Sequence, residues 1–299
     1  MRFYKVLPDL DRSKQLNLWH KALRSQWSAA DLDWSRPQRI TSRKLKDQLA
    51  RFLTPVLMGE QAALYSVSDM IPRMGQRGEF EGQLYLTTWA VDEGRHTELF
   101  ARFFHRIDRE PLSIRRFPSG YLFQSQIVST DPMQWLSGVL VSEVLAKLVM
   151  RELERLDLDP ILSELAHGIL KDEARHLGFN HIYVEDRFKA MFQDPAAASH
   201  DSVRWKRRDA QESESGSAGP DDVAERLTAN LDQVLSFVPP ILDALALEVR
   251  EMGIDREEIL TLLGDEARWR LARAVDAGRR IAAGDEDPSD PAEAETIGA

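Results

Sequence analysis

A five-residue pattern, Asp-Glu-x-Arg-His, occurs twice in this chain, as Asp92-Glu93-Gly94-Arg95-His96 and as Asp172-Glu173-Ala174-Arg175-His176. In a helix its Glu-x-x-His core puts a carboxylate and an imidazole one turn apart on one face, within reach of a single metal ion. One copy is weak, because Glu and His also decorate solvated helix faces. Four identical positions recurring 80 residues apart, each inside a long apolar-periodic segment, constrain the chain to a helical bundle holding two metal ions.

A site built from two Glu-x-x-His helices takes one further Glu from each of two other helices. Glu60 is the sole acid before Asp69 in the segment that Thr54-Pro55 opens, and Glu143 stands alone in the apolar stretch from Trp135 to Met150. The order is then Glu60, Glu93 with His96, Glu143, and Glu173 with His176. The gaps from lone to paired Glu are 33 and 30 residues, room for an antiparallel hairpin that levels the side chains in space. Four carboxylates balance two divalent cations, whereas the same cluster buried without metal is strongly unfavourable. Oxygen ligands with one imidazole per metal suit iron or manganese.

The remaining composition bounds the rest. The chain has 299 residues, 43% of them hydrophobic, enough for a sizeable core. Without cysteine it can form no disulfide, zinc finger or iron–sulfur cluster. A net charge of −10 argues against a general nucleic-acid binder and against adhesion to anionic lipid. The N-terminal residues contain no apolar run long enough for a signal peptide or membrane span, so a cytoplasmic location is expected.

The chain reads as helix almost throughout. An amphipathic segment over 9–30 is followed by a helix from Thr41-Ser42 to about 53. Four core helices are expected at 54–71, 79–108, 131–156 and 160–192, three of them opening on Thr-Pro or Asp-Pro. Residues 109–130 form a connection long enough to cross the bundle or cover an entrance. Residues 1–194 therefore make the metal-binding bundle with its N-terminal helices. A small-residue, charged linker follows over 195–222, then C-terminal helices over 223–283, broken at Pro239-Pro240 with an N-terminal box at Asp255 to Glu258. A disordered tail covers 284–299.

The six candidate ligands resemble those of the ferritin-like di-iron carboxylate proteins, a superfamily that includes the ribonucleotide reductase small subunit, di-iron monooxygenases and arylamine N-oxygenases. The resemblance covers roughly residues 42 to 192. It implies an all-α, ferritin-like four-helix bundle with additional N- and C-terminal helices. It also implies a cofactor of two iron ions, or a manganese–iron pair, with O2 as co-substrate. In that family the Asp of one motif serves the His of the other helix, which pairs Asp92 with His176 and Asp172 with His96. A metal-bound His commonly donates its second N–H to a carboxylate in this way. Arg95 and Arg175 either close that network or cover the outer face.

Apolar positions near the ligands are Ala63, Leu64, Trp89, Phe100, Val139, Ala146, Ile169 and Phe179. They line a substrate cavity or fill the bundle, and the small Ala63 and Ala146 favour a cavity. Lys147 is expected to pack its stem and leave its head in water. His167 is out of phase with the ligand face and reads as a surface residue.

The departures narrow the subfamily. Phe100 stands where the reductase subunit carries its radical tyrosine. Ala63 and Gly138 replace the valine and tyrosine that cross-link in the ligand-binding oxidases. Ile169 replaces the seventh ligand of arylamine N-oxygenases. Two function classes stay open. One is an oxygen-activating oxidase or monooxygenase acting on a small organic substrate, with electrons from an external reductase. The other is a ferroxidase or iron-handling protein. A homodimer through the outer faces of the first core helices is expected.

Overall fold

The structure, a computed structural model, describes residues 13–129, 131–194 and 219–285. Among these residues every regular element is helical. Four long helices carry the bundle: α2 (Arg43–Arg77), α3 (Phe80–Arg106), α5 (Pro132–Leu156) and α6 (Pro160–Gln193). The short α1 (Lys14–Arg24) precedes them, and α4 (Pro118–Ile127) lies in the connection. The helices α7 (Pro220–Leu235), α8 (Pro239–Ala244), α9 (Ala246–Glu251) and α10 (Arg256–Ala282) follow.

Two tight turns fold the bundle into two hairpins. Gly78 adopts a left-handed φ of 80° between α2 and α3, a conformation glycine takes without a Cβ penalty. Between α5 and α6, Asp157 takes a left-handed φ of 40°, and Asp159 caps α6 by accepting from Ile161 N at 3.0 Å. Asp131 caps α5 in the same manner, ahead of Pro132. The hairpins pack with α2 against α5 and α3 against α6, and α10 lies along α6 and α5. Gly278 permits that last approach, since a Cβ there would come within 2.6 Å of the Glu185 carbonyl.

The first core helix differs from expectation. Thr54-Pro55 does not open a helix; α2 runs unbroken from Arg43 to Arg77 with Pro55 and Pro72 inside it. Thr54 instead donates to the Ala50 carbonyl at 2.6 Å and accepts from Leu112 N at 3.0 Å, tying α2 to the connection. Proline removes one backbone donor, and burial of the apolar face on both sides of it outweighs that loss. The connection itself contains α4, whose Gly120, Phe123 and Ile127 face inward.

At the C-terminal end α7 begins at Pro220 rather than 223, and Pro239-Pro240 sets the break before α8. Asp255 caps α10 by accepting from Glu257 N and Glu258 N. The rest of the expected linker, and the tail beyond 285, lie outside the described residues. One continuous apolar core joins bundle and C-terminal helices. By length and composition α5 could cross a membrane, yet 72% of its apolar window is buried inside the fold, as suits a core helix.

Candidate metal centre

All six candidate ligands converge in the bundle interior. Glu60 comes from α2, Glu93 and His96 from α3, Glu143 from α5, and Glu173 and His176 from α6. All are buried, the two imidazoles completely. Two groups of three, Glu60–Glu93–His96 and Glu93–Glu143–His176, each bring their ligand atoms within 4.8 Å of one another.

The arrangement is two-fold in character. His96 Nδ1 lies 3.2 Å from Glu60, and His176 Nδ1 lies 3.1 Å from Glu143. Glu93 approaches both rings, at 3.7 Å from His96 and 3.6 Å from His176. Glu173 does the same at 3.7 and 3.3 Å. Glu60 and Glu143 thus each belong to one half-site, while Glu93 and Glu173 span both.

Behind the imidazoles the crossed pairing implied by the resemblance is present. His96 Nε2 faces Asp172 at 3.1 Å, and His176 Nε2 faces Asp92 at 3.4 Å. Arg95 and Arg175 are buried in this layer and bridge the two carboxylates. Arg95 donates to Asp172 at 2.7 Å and Arg175 to Asp92 at 3.1 Å, and each also pairs with the Asp of its own motif. The arginines close the network and do not cover the outer face.

Charges explain the protonation balance. Burial pushes Glu60 up to about 7, against the lowering influence of His96, and pushes Glu143 up to about 8. Glu173 is raised well above the carboxylate range by burial and by neighbouring Glu143. Burial also opposes ionisation of Glu93, but the His96 contact and the positive fields of both imidazoles hold it low. His176 rises to about 9 despite burial, because Asp92 and Glu173 accept from it. Asp172 is strongly lowered: His96, Arg175 and Arg95 together overcome its desolvation.

The donor set fits a pair of metal cations. Four buried carboxylates repel one another, and two divalent cations would balance their charge. Glu93 Oε2 is buried without a hydrogen-bond partner, an acceptor directed into the cluster.

Two residues that carry no motif signal, Trp27 and Gln26, complete the surroundings. Trp27, in the segment between α1 and α2, donates its indole N–H to Asp172 at 2.9 Å, and the Arg95 guanidinium lies 5.0 Å over its ring. Its neighbour Gln26 donates to Asp92 at 3.2 Å. The sequence signal for this close approach is Gly168, where a Cβ would come within 2.4 Å of the Trp27 ring. Trp89 donates to Glu93 at 2.7 Å and stacks on His176 at 4.4 Å.

A cavity of about 100 Å³ opens on the carboxylates, walled by α2, α4, α5 and the α8–α9 segment. Phe52, Ala63, Phe123, Ala146, Leu242 and Leu245 are among its walls. Of the apolar residues expected around a substrate, Ala63 and Ala146 line it. Leu64, Trp89, Phe100, Val139, Ile169 and Phe179 do not, because the cavity lies on the α2–α5 side of the cluster. Phe100, Ile169 and Phe179 are completely buried in the core, and Phe179 stacks on Tyr85 at 4.4 Å. Lys147 also departs from expectation, since its head is 2.9 Å from Glu266 of α10 and not in water. His167 is exposed and pairs with Glu154.

Comparison with known proteins agrees with this geometry. Residues 69–201 match the family described as P-aminobenzoate N-oxygenase AurF. Among solved structures, one R2-like ligand-binding oxidase with an aerobically reconstituted Mn/Fe cofactor is similar at 15% identity and TM-score 0.60. It covers 91% of this chain and 98% of its own. A second, described as having an aerobically reconstituted metal cofactor after photoconversion, matches at 16% identity and TM-score 0.63. It covers 91% of this chain and 99% of its own. The fold is the all-helical bundle of these oxidases, and the six candidate ligands, which could hold metal ions, are gathered in its interior.

Proposed function

We propose that this protein is a non-heme di-iron, or manganese–iron, oxidase or oxygenase acting on a small organic molecule. The observation that carries the reading is the apolar cavity that ends on Glu60, Glu93, Glu143 and Glu173. A ferroxidase would need acids along an iron path, and among the described residues those four are the only acidic ones lining the cavity.

Glu60, Glu93, His96, Glu143, Glu173 and His176 would hold the metals. When bound, the pair supplies the electrons and Lewis acidity for dioxygen chemistry. The chain's own residues do the rest. Asp92 and Asp172 fix the ring orientation of His176 and His96, and Trp89 holds Glu93 by one carboxylate oxygen. The apolar walls exclude water and hold the substrate against the carboxylate face. Ile169 stands where an arylamine N-oxygenase would place a seventh ligand, so a six-residue set is proposed here.

Electrons come in this reading from a separate reductase, since a chain without cysteine has no thiolate-ligated redox centre. The exposed Tyr65 of α2 and Val91 of α3 support a homodimer through the outer faces of those helices. A cytoplasmic location is retained as part of the proposal.

The test is metal analysis followed by oxygen consumption of the ferrous protein with and without small organic ligands. Close to two metals per chain, and oxidation that accelerates with a ligand while the metal stays bound, is the expected result. Rapid oxidation of many iron equivalents with release of ferric ion would establish iron handling instead.

A further inference from the structure

The cavity walls carry information about charge. Among the described residues, apart from the four carboxylates at its floor, no lining residue is ionisable, and none is Lys, Arg or His. The cations that neighbour wall residues in sequence are engaged elsewhere. Arg51, beside Phe52, pairs with Glu248 of α9, and Lys147, beside Ala146, pairs with Glu266 of α10. The C-terminal helices thus supply the acids that hold both cations. A carboxylate carried into such walls would lose its hydration and gain no counter-charge there, which is among the costliest transfers available to a ligand.

Two neutral polar groups remain in the lining, Gln124 of α4 and Ser142 of α5. Gln124 is half-buried, and neither side chain makes a hydrogen bond within the described residues. A Cβ on Gly59 would lie 3.7 Å from the Gln124 amide nitrogen, which places that amide over the turn bearing Glu60. An amide offers two donors and an acceptor, so it recognises an uncharged polar group of either kind. The volume, about 100 Å³, is below the roughly 150 Å³ in which a closed apolar cavity holds benzene; this cavity is open on one side, so a single substituted ring is the largest guest whose inner part it covers.

Building on the oxidase reading, we propose that the substrate is a small neutral molecule. It is largely apolar, has one uncharged hydrogen-bonding group facing Gln124, and bears no anionic group remote from the metals. This separates the chain from an enzyme whose substrate carries a carboxylate, such as the 4-aminobenzoate of the matching family's description.

Three para-substituted anilines test this: an amide and a carboxylate that are nearly isosteric and differ in charge, and a methyl compound without a second polar group. Binding of 4-aminobenzamide, 4-aminobenzoate and 4-methylaniline to the manganese(II)-loaded, anaerobic protein near neutral pH is measured by calorimetry. The amide should bind at least about tenfold more tightly than the carboxylate. Gln124→Leu should weaken the amide about fivefold, as loss of one hydrogen bond does, and leave 4-methylaniline unchanged. Ala146→Phe should abolish binding of all three without changing metal content. Equal or tighter binding of 4-aminobenzoate overturns the inference and leaves the oxidase reading intact. So do failure of every neutral probe to bind at millimolar concentration, and unchanged binding in Ala146→Phe. Tight neutral binding with no acceleration of oxygen consumption by any bound probe would instead count against the oxidase reading, leaving the charge selectivity in place.

Discussion

Glu93 and Asp172 show how much single side chains carry here. Glu93 faces both imidazoles and keeps one oxygen without a hydrogen-bond partner, so Glu93→Ala should cost at least one of two metals per chain, read by elemental analysis. Asp172 touches His96, Trp27 and both arginines but none of the other candidate ligands. Asp172→Asn should weaken metal binding about 10–100-fold with the helical content retained, because the His96 ring loses its fixed orientation. Unchanged affinity would reduce Asp172 to a structural residue. Gly168→Ala is a sharper probe of the same layer. Its methyl would meet the Trp27 ring at 2.4 Å, so the substitution should destabilise by about 1–3 kcal/mol in denaturant unfolding. Pairing it with Trp27→Leu should recover part of that loss.

Among the elements, α1 is joined to α6 by charge as well as by packing. Lys14 donates to Glu185 at 2.8 Å, and Glu185 also faces His181 of its own helix at 3.4 Å. Although burial opposes it, these partners hold the Glu185 carboxyl below its ordinary value. A carboxyl lowered in the folded state stabilises the fold above its unfolded value and loses that contribution as pH falls through the lowered one. Glu185→Gln should therefore flatten part of the acid limb of stability against pH, with its loss of stability full and constant near and above neutrality and smallest at the lowest pH. A thermal-melt series from about pH 3 to 7 would show it. An unaltered acid limb would mean that α1 is held by apolar contacts alone. The long α2 teaches a related lesson. Thr54-Pro55 has the chemistry of a helix start, yet the helix passes through it, because the residues on both sides bury against the same bundle.

For the whole molecule, the buried carboxylate cluster couples metal to folding. An ion that binds the folded but not the unfolded chain adds about 2.7 kcal/mol at roughly 100 times its Kd. Loading with ferrous or manganous ion should raise the melting temperature by several degrees, and a chelator should reverse the gain. The Glu93→Ala protein should show a smaller rise. Absence of any shift in the native protein would mean that the cluster does not hold metal.

The bundle was legible because its signal is local and repeated. Two Glu-x-x-His turns and two isolated acids in apolar segments can be buried together only around positive charge. The same local chemistry placed the caps at Asp131 and Asp159. What lies beside the ligands was not legible. Phe100, Val139 and Ile169 are spaced as Ala63 and Ala146 are, one turn from a ligand, and only packing decides which of them meet a void. The cavity exists on one side because α4 and the α8–α9 segment, with Phe123, Leu242 and Leu245, close over α2 and α5 without filling the space between them. The partner of Lys147 lies 119 residues away on α10, and Trp27 reaches Asp172 across 145 residues. Helical periodicity fixes which face a residue occupies, which sequence can express. Which distant element covers that face depends on how the helices dock, and only the tertiary structure decides it.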